Sequence, residues 1–285
     1  MSRIFYVNGE FVPEADARIS VLDRGFLFAD AVYEVSSVLD GKLIDNPAHL
    51  ARLHRSLDEL SMVPPASDAE IVAAQKKLVE LNALEEGLLY LQVSRGVAER
   101  DFVFAPDMRS SVVMFTQQKS LVDSSLAERG CKVISVPDIR WQRRDIKTVA
   151  LLAPSLAKQQ AVDAGVDDAW MVEEGYVTEG TSNNAWIVTG DRRMQTRQLG
   201  HEILAGITRA AVMKFAAESG YEVVEEPFTI EEAKQAQEAF LTSASSFVTP
   251  VVSIDGCELG DGKPGPIVQE LRRIYIEIAR TRQEF

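Results

Sequence analysis

Alternating apolar and polar positions dominate the first third of the chain. Ile4-Phe-Tyr-Val, Asn8-Gly9 and Glu10-Phe-Val predict a β-hairpin, because Asn-Gly suits the positive φ angles of a type I′ turn. A second hairpin is expected from Val32–Val38, Asp40-Gly41 and Lys42–Ile44. The period then changes. Asn46 reads as an N-cap with Pro47 in the first turn, and Leu50, Leu53, Leu57 and Leu60 share one face of the helix that follows. Another helix is predicted at about Asp68–Asn82, with strands after it at Leu88–Ser94 and Ser111–Thr116. Gln117-Gln-Lys-Ser-Leu121 lacks a period and reads as a linker.

Beyond residue 120, strand and helix patterns alternate more regularly. Cys131–Val136 predicts a strand, and Pro154–Ala164 a helix closed by Gly165. Ala169–Val172, Glu174-Gly175 and Tyr176-Val177 predict a hairpin, and Asn184–Thr189 a strand ending in a Gly190-Asp191 turn. Ile207–Ser219 is a predicted helix with Gly220 at its end, followed by a strand at Tyr221–Glu226. Thr229-Ile-Glu-Glu232 has the form of a capping box. Short strands at Phe240–Ser243 and Val251–Ile254 precede an amphipathic helix over roughly Pro266–Arg282. The fold class is α+β in two domains: a small N-terminal one (1–117), a linker (118–122) and a larger C-terminal one (123–285) that carries Lys147.

At 285 residues and 46% hydrophobic content, the chain can bury the cores of two modest domains. A net charge of −13 argues against nucleic acid or an anionic membrane as partner, and reads otherwise as solubility. Cys131 and Cys257 lack metal-ligand spacing and suggest a reducing compartment. With only three histidines, no metal is expected. The N-terminal stretch has no signal-peptide core and no apolar run is of bilayer length, so the expected location is cytoplasmic.

Three segments could carry chemistry. Lys147, in Asp138-Ile-Arg-Trp-Gln-Arg-Arg-Asp-Ile-Lys147-Thr, supplies an amine that can form a Schiff base with an aldehyde, and burial near Arg143 or Arg144 would help free it. Glu179, in Val177-Thr-Glu179-Gly-Thr-Ser-Asn-Asn184, supplies a carboxylate able to keep a pyridine nitrogen protonated. Leu204-Ala-Gly206-Ile-Thr208-Arg places glycine before a helix, whose first N–H groups can hold a phosphate. Taken singly, each has a plain reading: a surface lysine, a turn, an N-cap. Thr242-Ser243-Ala244-Ser245-Ser246 adds small donors after a strand. Arg52 and His49 share a helical face, where Arg52 could reach a phosphate or simply face solvent. Tyr33 closes a stretch from Arg24 that is unusually aromatic for a loop.

In this order, with Asp23-Arg-Gly, Val32-Tyr-Glu, Arg95-Gly and Thr249-Pro-Val, the segments resemble the fold-type IV pyridoxal-phosphate enzymes. Among these they are most similar to the D-amino-acid aminotransferases, over essentially the whole chain. The resemblance implies the cofactor pyridoxal 5′-phosphate, with Lys147 as Schiff-base lysine and general base and Glu179 as partner of the pyridine nitrogen. It implies that Arg52, Ile207 and Thr208 hold the phosphate, that Leu204 packs on the ring, and that Ser182 joins the same shell. Ser243 and Ala244 fall at a further phosphate contact, where relatives commonly carry a threonine in place of Ala244. Tyr33 and Arg100 would trap the substrate carboxylate, Arg100 reaching in from the second subunit of a homodimer. Phe102 stands where the D-amino-acid enzymes often have histidine, which weakens that trap or makes the pocket more apolar.

The reaction so implied is a ping-pong transfer of an amino group from a D-amino acid such as D-alanine to a 2-oxo acid such as 2-oxoglutarate. A second reading keeps the fold: an (R)-amine or branched-chain transaminase, or an aminodeoxychorismate lyase, which would turn over without a 2-oxo-acid acceptor. A third is a cofactor-binding protein without catalysis.

Overall fold

A computed structural model of the protein describes residues 2–190 and 192–281. Asp191 of the expected turn, Arg282 of the expected last helix and the outermost ends of both expected domains lie outside these residues. The described residues group into two units. One runs up to Ser120 and includes Ile146–Ala150 and the close of the last helix from Ala279; the other comprises Leu121–Asp145 and Leu151–Ile278.

In the first unit the elements are β1 (Ile4–Val7), β2 (Glu10–Pro13), α1 (Arg24–Phe28), β3 (Ala31–Leu39), β4 (Lys42–Leu43), α2 (Asn46–Glu59), α3 (Asp68–Leu81), β5 (Gly87–Ser94) and β6 (Ser111–Gln118). Among the described residues the strands form a six-stranded antiparallel sheet in the order β2-β1-β6-β5-β3-β4. Leu50, Leu53 and Leu57 of α2 and Ile71, Ala74 and Leu78 of α3 bury against Val32, Leu89, Leu91, Val93 and Met114 of the sheet. The period of two along β3 matters most. Val32, Glu34, Ser36 and Val38 share the face toward this core, so Tyr33 and Val35 point the other way.

Several elements differ from the sequence expectation. Asn46 is not the N-cap of α2. That place belongs to Asp45 in a left-handed conformation, and the Asn46 side chain is buried, donating to Gln75 Oε1 at 2.8 Å. Gln117 and Gln118, expected in the linker, extend β6 by pairing with Leu88 and Gly87. Helix α1 is too short to show a period; Asp23 caps it by accepting from Gly25 N at 2.8 Å, and Ala29 ends it at φ 54°. Lys147 was expected in the C-terminal domain, yet Ile146–Ala150 groups with the first unit. Its backbone pairs antiparallel alongside the start of β3: Tyr33 N donates to Lys147 O and Val149 N to Ala31 O, both at 3.0 Å.

The second unit contains α4 (Ser125–Arg129), β7 (Cys131–Pro137), α5 (Leu152–Asp163), β8 (Asp168–Glu173), β9 (Tyr176–Gly180), β10 (Asn184–Thr189), β11 (Arg193–Thr196), α6 (Ile207–Glu218), β12 (Glu222–Glu225), α7 (Ile230–Lys234), β13 (Glu238–Ser243), β14 (Phe247–Ile254), β15 (Cys257–Glu258) and α8 (Pro266–Thr281) as far as Ile278. Among the described residues its sheet has nine strands, ordered β12-β11-β10-β13-β14-β7-β8-β9, with β15 on β14. β8 is buried on both faces: Ala169 and Met171 pack with Ala157 and Ala161 of α5, and Trp170 packs with Phe228 on the other side. That explains its unbroken apolar run. Among the described residues, no helix is long and apolar enough to cross a membrane.

Candidate active site

The first unit places Lys147 beside Tyr33. The lysine Nζ stands 4.2 Å from the centroid of the Tyr33 ring, and Tyr33 stacks on Tyr90 at 5.6 Å. Tyr90 in turn stacks on Phe115 at 4.7 Å, so an aromatic row crosses three strands on the sheet face away from the helices. Lys147 N donates to Ser56 Oγ of α2 at 3.4 Å. Arg143 and Arg144, expected to act on the amine, are engaged with carboxylates of the second unit: Arg143 Nε with Asp145 Oδ1 at 3.0 Å, Arg144 with Glu173.

Arg52 and His49 are both buried rather than solvated, because they meet a carboxylate on the inward face of β3. Arg52 donates Nε to Glu34 Oε1 at 2.8 Å and Nη2 to Glu34 Oε2 at 2.7 Å, and His49 Nδ1 is 2.7 Å from the same Oε2. Burial raises the Glu34 pKa, but the Arg52 charge and the hydrogen bonds from Arg52 and His49 outweigh it and bring the group down to about 2. Glu34 therefore fixes the guanidinium on its helix. Arg100 and Phe102 occupy an exposed loop, with Arg100 5.4 Å from the Phe28 ring and Phe102 5.6 Å from it. Phe102 is 79% exposed.

The second unit assembles its own set around Glu179, at the end of β9. Its Oε2 accepts from Asn184 Nδ2 at 3.0 Å and from Leu204 N at 3.1 Å, while Arg140 Nη1 binds Oε1. Burial pushes the Glu179 carboxyl up, and the Arg140 cation and the Leu204 N–H oppose it. With a guanidinium and two N–H donors on one carboxylate, the ionised form is the one these partners stabilise.

Asn184 also organises the glycine turn. Its Nδ2 donates to Leu204 O at 3.0 Å, and a Cβ on Gly206 would lie 2.0 Å from its Oδ1. Glycine is thus required by close approach, not by a positive φ. No side chain caps α6 at Gly206, so its first N–H groups are available, with Ile207 and Thr208 as the first helical residues and Thr208 buried. Asn184 pairs with Thr242 across the sheet; Ser243, the last residue of β13, has its Oγ 2.8 Å from Ser246 Oγ, and Ala244 opens the turn that follows. Ser182 is exposed in its turn, while Thr181 and Asn183 bind Asp168 at 2.6 and 2.8 Å.

The donors present suit a phosphorylated pyridine aldehyde. The second unit has a helix start without a side-chain cap, a glycine turn where an added Cβ would meet Asn184 Oδ1 at 2.0 Å, and a buried carboxylate on which three donors are seen. The first has an amine against an aromatic ring and a guanidinium held in place by Glu34. Sequence reasoning missed Glu34, Asn184 and Arg140. A charged residue on the inward face of β3 was the one signal that could have revealed Glu34.

The family described as amino-transferase class IV matches residues 31–254. A D-alanine aminotransferase of Staphylococcus aureus (strain N315) is 38% identical over 273 residues, covering 95% of this chain and 96% of that protein. One of Staphylococcus haemolyticus is 35% identical over 283 residues, covering 99% of each. Among solved structures, a T.th. branched-chain amino acid aminotransferase with pyridoxamine 5′-phosphate superposes at TM-score 0.90 and 28% identity, covering 99% of this chain and 95% of that one. The Escherichia coli branched-chain enzyme shares the fold at TM-score 0.91 and 22% identity, covering 100% of this chain and 97% of that one.

Proposed function

The chain belongs to the class IV aminotransferases, and from that membership we propose that it transfers the amino group of a D-amino acid such as D-alanine to a 2-oxo acid by a ping-pong mechanism. The observation that carries the reading is the Lys147 amine over the Tyr33 ring, in a chain matched almost end to end by D-alanine aminotransferases. When bound, pyridoxal 5′-phosphate supplies an electron sink for negative charge at the donor Cα. Lys147 takes the proton from Cα and returns it at the other end of the transfer. Arg52, the N–H groups of Ile207 and Thr208, Ser243 and the Ala244 backbone hold the phosphate, and Glu179 holds the proton of the ring nitrogen. Leu204 packs on the ring, with Ser182 in the surrounding shell. Tyr33 and Arg100 take the donor carboxylate.

The protein acts as a cytoplasmic homodimer in this proposal. Phe102, Val103 and Phe104 are 79%, 75% and 54% exposed, and Phe26 is 69% exposed. Such a collection of exposed apolar side chains favours burial against a second copy. A branched-chain or amine donor is the second reading, favoured by Phe102 beside Arg100, where a hydrogen-bond donor to a carboxylate is missing.

Half-reactions with D- and L-amino acids and chiral amines, followed by the cofactor spectrum, test the proposal. D-alanine, D-glutamate and D-aspartate are expected to convert the bound cofactor; no change with any of the three rules out the D-amino-acid donor. Borohydride should fix the cofactor to the wild type but not to Lys147→Ala; fixation in the variant removes Lys147 from its role.

A further inference from the structure

Behind Glu179, ionisable side chains of the second unit form a continuous row. Arg140, which binds Glu179, also grips Asp138, with Nη2 2.7 Å from Oδ2 and Nε 3.0 Å from Oδ1. Asp138 Oδ2 lies 3.6 Å from Arg144 Nε, and Arg144 Nη2 donates to Glu173 Oε1 at 2.8 Å. The Asp138 side chain is 0% exposed, that of Arg144 2% and that of Glu179 6%. Signs alternate along the row, which begins and ends on a carboxylate and so lacks one positive charge. Glu173, at one end, is 31% exposed, and Arg197 acts on it as well. Glu179, at the dry end, has no such relief. Of about four acceptor positions on its carboxylate, Arg140, Asn184 and Leu204 use three, and the fourth is on Oε1.

We propose that Arg140, anchored by Asp138, is a positioning residue that holds Glu179 as a carboxylate and so keeps the shared proton on the ring nitrogen of the cofactor. This rests on the reading of Glu179 as the partner of that nitrogen. Two bases facing each other share one proton, which resides on the base with the greater affinity. A guanidinium in contact with Glu179 lowers the carboxylate's affinity and leaves the ring as the better base. Burial acts in the opposite sense on Glu179, so without Arg140 the proton moves to the carboxyl group and the ring becomes neutral. Thr178 Oγ1 donates to Asp138 Oδ2 at 2.7 Å, and Arg140 N to Asp138 Oδ1 at 3.1 Å, which fixes the anchor in turn.

Holoenzyme loaded with pyridoxal phosphate carrying nitrogen-15 in the ring reports this proton directly by NMR. Wild type, Arg140→Gln and Arg140→Lys are compared across pH, with circular dichroism and melting temperature recorded for each. Wild type and Arg140→Lys are expected to show a protonated ring at neutral pH. Arg140→Gln is expected to move the ratio of protonated to neutral ring by about tenfold or more, equivalent to one pKa unit. A neutral ring in wild type overturns the proposal, as does a folded Arg140→Gln protein with the wild-type ring signal. Should Arg140→Gln not fold, Arg140→Lys decides: a lost ring proton despite the retained charge refutes the proposal, and a retained one supports it. Failure of the underlying reading looks different, because Glu179→Gln would then leave the ring signal unchanged.

Discussion

Replacing Glu34 with glutamine removes the charge that joins β3 to α2 while keeping the shape of the side chain. In the native protein this carboxylate is 3% exposed and takes two hydrogen bonds from Arg52 and one contact from His49. Its pKa falls from the ordinary 4.5 to about 2, a difference worth about 3 kcal/mol at neutral pH. Because the folded-state value is the depressed one, this stability is present above the unfolded pKa and is lost as pH falls through the folded value. The window therefore lies between 4.5 and about 2. At about pH 3 roughly 1.4 kcal/mol should remain, so the gap between wild type and Glu34→Gln narrows by about 2 kcal/mol between pH 7 and pH 3. Urea unfolding of both proteins at both pH values measures the gap, and the difference cancels the titration of all other groups they share. A gap that stays constant with pH, or is below about 1 kcal/mol at pH 7, would refute the charge argument. Arg52→Met added to Glu34→Gln should recover part of the loss, since a buried guanidinium without its carboxylate is the costly state.

Three further substitutions probe the local geometry. Gly206→Ala sets a Cβ 2.0 Å from Asn184 Oδ1 and should cost about 1–3 kcal/mol while hastening cofactor loss on dialysis; unchanged melting and retention would contradict the required glycine. Gly96→Ala, at φ +104° with a Cβ 1.9 Å from Arg109 O, should lower stability by more than about 1 kcal/mol and speed amide exchange in the Arg100 loop. Trp186→Phe removes the Nε1 donor 3.0 Å from Thr242 Oγ1 but keeps an aromatic ring against Phe240. It should cost about 1–3 kcal/mol in urea unfolding, whereas an effect near zero would mean Thr242 finds another partner at once.

Much of the fold was legible because its cause is local. The Asn8-Gly9 hairpin, the leucine face of α2 and the Thr229–Glu232 capping box all appear in the structure, the last with both reciprocal hydrogen bonds. Each depends on residues within one turn or one helical repeat of each other. Elements without that support escaped: α1 has five residues, β11 has four, and α4 is a single capped turn. Gln117 and Gln118 are polar yet belong to β6, since backbone pairing with β5 does not require apolar side chains.

By itself the sequence determined the family and the types of group available, because an amine, a carboxylate and a glycine turn in fixed order are visible in one dimension. Periods of 2 and 3.6 follow from backbone geometry, so the faces they mark are also written in the chain. Only the tertiary structure decided which charges meet. Glu34 answers Arg52 from 18 residues away and Arg140 answers Glu179 from 39, partnerships set by how strands and helices are stacked. It also drew Lys147 onto β3 through backbone hydrogen bonds, which any residue type can make and no residue pattern announces.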